Sequence, residues 1–406
     1  MMDGVPCLRV SQSHAQHFRK CLQIKEALDP SLSLLKEPNG TVLLSILPSC
    51  VSQLDLQSLR SMVDSDGPCE IVSSQFPPQS KKERGRTKGN KLEKILQELL
   101  ESHGERWTEE LREDLPRRFQ RHEDLVLLGD NCFSQPIWKK LDQQLWSAVA
   151  KGLEAKRLAK LSRISSDGFR SPVVIMLLGE HSWVKHVDNG IRYEFDVTKC
   201  MFSSGNITEK LRVAGFNCKG ETVVDLYAGI GYFTLPYLVH AGASHVHACE
   251  WNPDAVEALE RNLKANRVSD RCTIHQGDNR QLSLCDTADR VNLGLIPSSE
   301  NGWPVACQLL KRKTGGILHI HQNVTSPLPN TASIPAVGDA TQRVSGKKAD
   351  REAWQAWADD TAKHIASLLQ DVTGASWKTN ILHIEHVKSY APHVHHVVLD
   401  LECRPC

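Results

Sequence analysis

Val223-Val224-Asp225-Leu226-Tyr227-Ala228-Gly229-Ile230-Gly231-Tyr232-Phe233-Thr234-Leu235 decides how the rest of the chain is read. Two β-branched residues run into an acid, then a D-x-x-x-G-x-G loop, then an apolar stretch with helical character. The pattern predicts a buried parallel strand whose carboxyl end turns tightly into a helix. Gly229 and Gly231 let the backbone turn sharply and lie flush against a ligand that a Cβ would exclude. Asp225 is expected to close the strand with a carboxylate at the crevice where open α/β sheets bind ligands.

The next two strand ends repeat the theme. His245-Val246-His247-Ala248-Cys249-Glu250 is a short strand ending in an acid, a spacing that suits a carboxylate accepting hydrogen bonds from ribose hydroxyls. Asn252-Pro253 starts a helix from Asp254 to Asn266, with Ala255, Leu259 and Leu263 at helical spacing. Cys272 to Gln276 is a third strand, closed by Gly277-Asp278-Asn279, where a side chain can pair with an adenine amino group. A dinucleotide site requires a third glycine and a phosphate on the helix N-terminus. Here Thr234 follows instead, and the carboxylate of Asp225 repels a pyrophosphate but suits a ligand with a positive centre. The pattern resembles the S-adenosylmethionine site of class I methyltransferase-like enzymes.

The fold class that follows is α/β, a class I methyltransferase-like, Rossmann-type sheet of seven strands with an N-terminal α+β extension. Asp289 to Pro297 is the fourth strand with its exit, which in this architecture faces the acceptor. Gly316 to His321 is the fifth. Ile381 to Val387 and His395 to Leu401 form a closing antiparallel pair. Upstream, residues 1–75 read as a small α/β unit with a helix from His14 to Leu28 and a strand from Val42 to Leu47. Residues 76–91 read as a basic linker. Residues 92–165 are a connecting region with helices at Leu92–His103, Thr108–Asp114 and Gln135–Leu158 and a strand at Asp124–Leu128, suited to packing and partner docking. Residues 166–220 hold a buried strand (Pro172–Leu178), a hairpin around Asp188-Asn189-Gly190, and a polar turn, Met201 to Lys210, placed to fold over a cofactor; Asn206 or Ser204 is a candidate cap for its helix. Residues 221–406 are the catalytic domain, in which 326–350 read as a disordered insertion before a helix from Glu352 to Gln370.

Bulk properties narrow the class. The net charge of +1 excludes a uniformly basic nucleic-acid binder, yet basic residues cluster at Lys81–Lys88, at Arg117-Arg118, and from Lys139 through Lys151, Lys156, Arg157 and Lys160 to Arg163. Such a flank is either a solvated face or a surface that follows phosphates. No apolar run approaches the roughly 20 residues needed to span a bilayer, and Met1–Leu8 carries no signal-peptide pattern. The thirteen cysteines, odd in number and scattered, fit reduced thiols and a cytoplasmic setting. His319 and His321 share a strand face, but without an acidic or cysteine partner at suitable spacing they read as histidines satisfied by neighbours.

From about Gly190 to Leu401 the sequence resembles the wybutosine-synthesising protein 2 family of tRNA aminocarboxypropyltransferases, relatives of the tRNA guanine-N1 methyltransferases. The segments that carry the resemblance are Asn189-Gly190-Ile191 with Phe195-Asp196, Met201 to Lys210, Asp225 to Pro236, Cys249 to Pro253, Gly277 to Arg280, and Lys388 to Val398. The resemblance implies S-adenosylmethionine as co-substrate and the anticodon loop of phenylalanine tRNA as partner, with no membrane. It implies that Ser203 and Lys210 touch the methionine part, that Glu250 holds the ribose, and that Asp278 and Asn279 surround the adenine. Lys210 is the candidate for orienting the migrating carboxylate, and Asp225, Gly229 and Gly231 complete the cofactor-binding set. The methyltransferase relatives carry an arginine in an F-S-P-R turn and N-L-P at the fourth strand exit; the aligned positions here are Gly205 and Gly294-Leu295-Ile296. That departure favours transfer of the 3-amino-3-carboxypropyl group over methyl transfer. The alternatives are a tRNA guanine-N1 methyltransferase and a non-catalytic tRNA-docking protein.

Overall fold

The computed structural model describes residues 4–11, 14–63, 67–74, 81–165, 171–202, 204–327 and 339–406. It divides into two units, Met1–Arg118 with Asn131–Lys156, and Phe119–Asp130 with Arg157–Cys406.

In the first unit, β1 (Val5–Ser11), α1 (Ala15–Ile24), β2 (Leu35–Lys36), β3 (Thr41–Ser45), α2 (Leu56–Val63) and β4 (Cys69–Ser74) form an antiparallel sheet of order β2-β3-β1-β4 with two helices. Leu8 and Val10 alternate with outward residues on β1 and meet Val42, Leu44, Phe18, Leu22 and Leu59. The unit continues with α3 (Lys81–Ser102), α4 (Glu109–Glu113), α5 (Ile137–Lys140) and α6 (Asp142–Leu153). Leu92, Leu96 and Leu100 on α3, and Leu145, Val149 and Leu153 on α6, are buried at four-residue spacing, the signature of two helices sharing a core face.

Two boundaries differ from the sequence reading. The run from Lys81 is the opening of α3 rather than linker. Lysine, arginine and glutamate are good helix formers, and the apolar period that marks a helix sets in only at Leu92. Residues 76–80 lie outside the described residues. The helical reading of Gln135–Leu158 ends at Leu153, where Glu154 takes the left-handed conformation (φ 55°), and Leu158 belongs to the following strand.

The second unit opens with β5 (Phe119–His122), β6 (Leu125–Leu128), β7 (Arg157–Ile164) and β8 (Pro172–Leu178), a sheet of that order with β6 and β7 parallel. β8 was expected to be buried, but it is an edge strand with Ile175 62% exposed. One face of an edge strand's apolar residues stays open to solvent, which a run of Val and Ile does not reveal. β9 (Trp183–Asp188) and β10 (Ile191–Asp196) form the expected hairpin. Asn189 (φ 50°) and Gly190 (φ 76°) supply the two positive φ angles such a turn demands.

The rest is α7 (Ile207–Ala214), β11 (Thr222–Asp225), α8 (Thr234–Val239), β12 (His245–Glu250), α9 (Pro253–Ala265), β13 (Cys272–Gln276), β14 (Arg290–Leu293), α10 (Trp303–Leu309), β15 (Gly316–Thr325), α11 (Asp339–Thr373), β16 (Trp377–Ala391) and β17 (Val394–Pro405). Seven strands lie in the order β13-β12-β11-β14-β15-β17-β16. All neighbours are parallel except β17, which is antiparallel to β15 and β16. Val223 enters one core with β9, β10, α8 and α9, and Val224 enters the other with α10 and α11. Burial on both faces is why this strand is continuously apolar. Strand order reverses beside β11, so β11, β12 and β14 open a crevice at their carboxyl ends.

Within residues 326–350, read as disordered, residues 328–338 lie outside the described residues and Asp339 onward is helical. Polar Lys, Arg, Gln and Ala residues propagate the helix N-terminally from its apolar Trp354–Leu369 portion.

Candidate active site

Asp225 ends β11, but it does not face the crevice. It is fully buried, accepting from Asn292 Nδ2 at 2.9 Å and from the Thr234 hydroxyl at 2.7 Å. Burial pushes its carboxyl pKa up, and those two donors pull against the rise. The expectation that it meets a ligand is therefore corrected. Its partners come from the next strand, β14, and from the start of α8, so it ties the glycine loop to both. A sequence cannot show whether a strand-end carboxylate points outward or is capped by two residues of its own fold.

Glu250, at the end of β12, is the organised carboxylate. Its Oε2 accepts from Gly229 N at 2.7 Å, and its Oε1 accepts from Trp251 N at 3.0 Å and Asn252 N at 2.9 Å. A carboxylate offers about four lone-pair directions. Three are used here, and the free one is on Oε2. Burial raises the Glu250 pKa, opposed by those same amides. The Gly229 bond joins the second strand end to the glycine loop.

Gly229 (φ 55°) and Gly231 (φ 99°) both require the left-handed region. A Cβ at Gly229 would meet the Tyr232 ring at 2.7 Å, and one at Gly231 would meet Leu259 and Leu235 at 3.0 and 3.1 Å. A Cβ at either position would therefore collide with the loop's own packing.

Beyond Glu250 lies a cavity of about 280 Å³ lined by Cys249, Gln276, Gly277, Asp278, Asn279 and Leu282 among others. Small-molecule pockets span roughly 300–1,000 Å³, so this space suits part of a ligand, such as a nucleobase. A Cβ on Gly277 would meet nothing within 4 Å. Asp278 accepts from Arg280 Nη2 at 2.6 Å, and that guanidinium holds its carboxyl below the usual range. Asn279 donates through Nδ2 to Leu226 O at 2.7 Å, which fixes its amide on the glycine loop. Trp251, next to Glu250, leaves 46% of its surface exposed.

Over the glycine loop runs the turn before α7. The Tyr232 hydroxyl donates to the Met201 carbonyl, so the loop holds the turn directly. Ser203 lies outside the described residues. Asn206 occupies the cap position of α7 without a side-chain cap bond. Lys210 is buried and its ammonium is paired with Asp188 of the β9–β10 hairpin. The Tyr193 and Phe202 rings flank it, with centroids 5.3 and 5.1 Å away. Sequence reasoning missed Asp188, Asn292 and Tyr232. An asparagine between Val291 and Leu293 on a doubly buried strand was the available signal for Asn292; Asp188 carried none beyond its turn.

On β15, His319 pairs with Asp400 at 2.7 Å and His321 Nδ1 lies 3.0 Å from His396 Nε2. His319 is satisfied by neighbours, as expected, whereas His321 Nε2 and His396 Nδ1 are buried without a hydrogen-bond partner among the described residues. Among the described residues no group of side chains is arranged to hold a metal ion, and no helix is long and apolar enough to cross a membrane.

Comparison with known proteins accounts for this arrangement. Residues 184–343 match the TRM5/TYW2 methyltransferase domain, and residues 8–83 and 96–182 match two models, each described as a TYW2 N-terminal domain. The chain is 59% identical, over 100% of both sequences, to a tRNA wybutosine-synthesizing protein 2 homolog of Danio rerio. The chain belongs to the TYW2 family. Its human relative, of the same description, is 51% identical over 96% of this chain and 92% of that one. Among solved structures, P. horikoshii TYW2 in complex with MeSAdo superposes with a TM-score of 0.54 at 28% identity, covering 77% of this chain and 99% of that one. Family membership thus extends over the N-terminal half, which the resemblance read from motifs did not reach.

S-adenosylmethionine fits the residues of this TYW2 chain. Glu250 retains an acceptor on Oε2 for a ribose hydroxyl, the adjoining cavity has room for a base, and the Met201 turn is tied to the loop that would lie beneath the ligand.

Proposed function

We infer that this chain transfers the 3-amino-3-carboxypropyl group of S-adenosylmethionine to a carbon of the tricyclic wyosine-type base beside the anticodon of phenylalanine tRNA. The observation that carries the reading is the MeSAdo bound to the P. horikoshii relative. Methylthioadenosine is what remains of the co-substrate once its four-carbon chain has left. The sulfonium supplies the activation: the Cγ–S bond breaks with its electron pair going to sulfur, a C–C bond forms at the base, and the displaced ring proton passes to water.

What the protein contributes is position. Glu250 takes a ribose hydroxyl on Oε2, and the cavity by Gly277, Asp278 and Asn279 takes the adenine. Ser203 is assigned the methionine end by the family resemblance. Asp225 acts indirectly, by holding the loop to β14 and α8. Lys210 has its charge matched by Asp188, so we assign it to fixing α7 against the hairpin rather than to carrying the carboxylate.

An anticodon loop offers unstacked bases that can be splayed out and read. Arg117 and Arg118 are exposed and suited to phosphates. Arg157 is not; it is held by Asp124 at 2.5 Å and by the His181 and Trp183 carbonyls.

The test is to incubate the protein with S-adenosylmethionine and phenylalanine tRNA from cells lacking this step and to identify the by-product by chromatography. Methylthioadenosine is expected. S-adenosylhomocysteine would instead make the chain a methyltransferase.

A further inference from the structure

Gly205 sits in the turn over the glycine loop, and the space a Cβ would take there is already filled. The occupant is the Lys388 side chain from β16, whose ammonium lies on that position with Cδ and Cε 3.2 Å away. A residue 183 positions downstream thus inserts a cation into the turn that Tyr232 holds over the glycine loop.

A second set of contacts places Lys388 at the same edge. Lys388 is in register with His396 on β17, His396 meets His321 on β15 at 3.0 Å, and His321 packs on Phe233 with ring centroids 5.1 Å apart. Phe233 is the residue that leads into α8. Lys388 is therefore bound to the mouth of the crevice by its own sheet as well as by the turn.

Its charge is unanswered. Among the described residues no carboxylate pairs with the Lys388 ammonium; its close companion is the Tyr390 ring, 4.4 Å to the centroid. Lys210, the other lysine of the turn, is neutralised by Asp188. A half-buried, unpaired cation beside a binding crevice calls for an anion from the ligand. The co-substrate carries one, the carboxylate at the end of its methionine chain.

We propose that Lys388 is the carboxylate-binding residue for the transferred chain, admitted to the turn because position 205 is glycine. This rests on the function inferred above and adds a binding residue on β16, far in sequence from the other assigned positions.

The test compares binding of S-adenosylmethionine, decarboxylated S-adenosylmethionine and methylthioadenosine to the full chain by calorimetry, for wild type, Lys388→Ala and Lys388→Arg. Wild type should prefer the carboxylated ligand. Lys388→Ala should weaken that ligand alone by about tenfold, the size of one charge-assisted contact partly open to water. The two carboxylate-free ligands should bind Lys388→Ala as they bind wild type, and Lys388→Arg should recover part of the preference. Equal weakening of all three, or of none, overturns the proposal. Weakened tRNA binding with unchanged ligand affinities assigns the ammonium to a phosphate and overturns it as well. Wild-type protein that binds none of the three removes the inferred function itself, and this residue's role with it.

Discussion

The two halves of the seven-stranded sheet use buried charge differently. On the β11–β12–β13 side, two carboxylates bond to backbone one or two residues away. Glu250 accepts from the amides of Trp251 and Asn252, and Asp278 caps the short turn that follows it. On the β14–β15–β17–β16 side, the partners are remote. Asp400 accepts from Arg212, 188 positions earlier, and from His319; His321 meets His396 across 75 positions. The first half builds part of its site from local turn chemistry, and the second holds these groups only once distant segments have met. Longer reaches tie this half together as well: Gly229 to Glu250, Asn279 to Leu226, and Asn292 of β14 to Asp225 across the boundary.

The sharpest test of this contrast is Asp400→Ala. The substitution leaves Arg212 and His319 with a lost partner in a buried setting, and such losses cost about 3–5 kcal/mol. Urea unfolding should show that order of destabilisation. A value near zero would mean that remote pairing does not support this half.

Asp225→Ala should cost less, about 2–4 kcal/mol, because it strands two neutral donors, Asn292 Nδ2 and the Thr234 hydroxyl. A larger loss than for Asp400→Ala, in the same urea series, would reverse the ranking.

The pH response tests the same contrast without a substitution. Burial holds His396 and His122 down at about 4. In the unfolded chain a histidine titrates near 6.5. Between those values the unfolded state binds protons that the native state refuses, so stability falls as pH drops from about 6.5 toward 4. The Asp400 carboxyl is held well below its usual range by His319 and Arg212. Its contribution therefore persists until the pH passes below about 4. Urea midpoints should decline between pH 7 and pH 5; a flat profile would show that these histidines are not held neutral in the native state.

Much of the candidate site was legible. Glu250, Gly229, Gly231 and the Gly277-Asp278-Asn279 turn announce themselves because strand ends and glycine loops follow local rules. The hairpin at Asn189-Gly190 was equally plain, since that dipeptide suits a turn with two positive φ angles. Asp225 was located correctly and misread in direction. Lys210 was singled out by the family resemblance, but its partner Asp188 was not, because an ion pair across 22 positions leaves no periodic trace. The helix from Lys81 and the N-terminal extension of α11 were hidden because a helix without an apolar stripe reads like solvated chain.

By itself the sequence determined the order of elements, the parallel sheet and which strand ends carry polar groups, since hydrophobic periodicity and turn residues act over a few positions. Only the tertiary structure decided which of those groups face the crevice and which are consumed by the fold. It turned Asp225 inward, matched Lys210 with Asp188, and brought Lys388 into the space at Gly205. Those outcomes depend on side chains far apart in sequence meeting once the strands have paired. Charge and hydrogen bonding act at a few ångströms, and only the folded chain sets those distances.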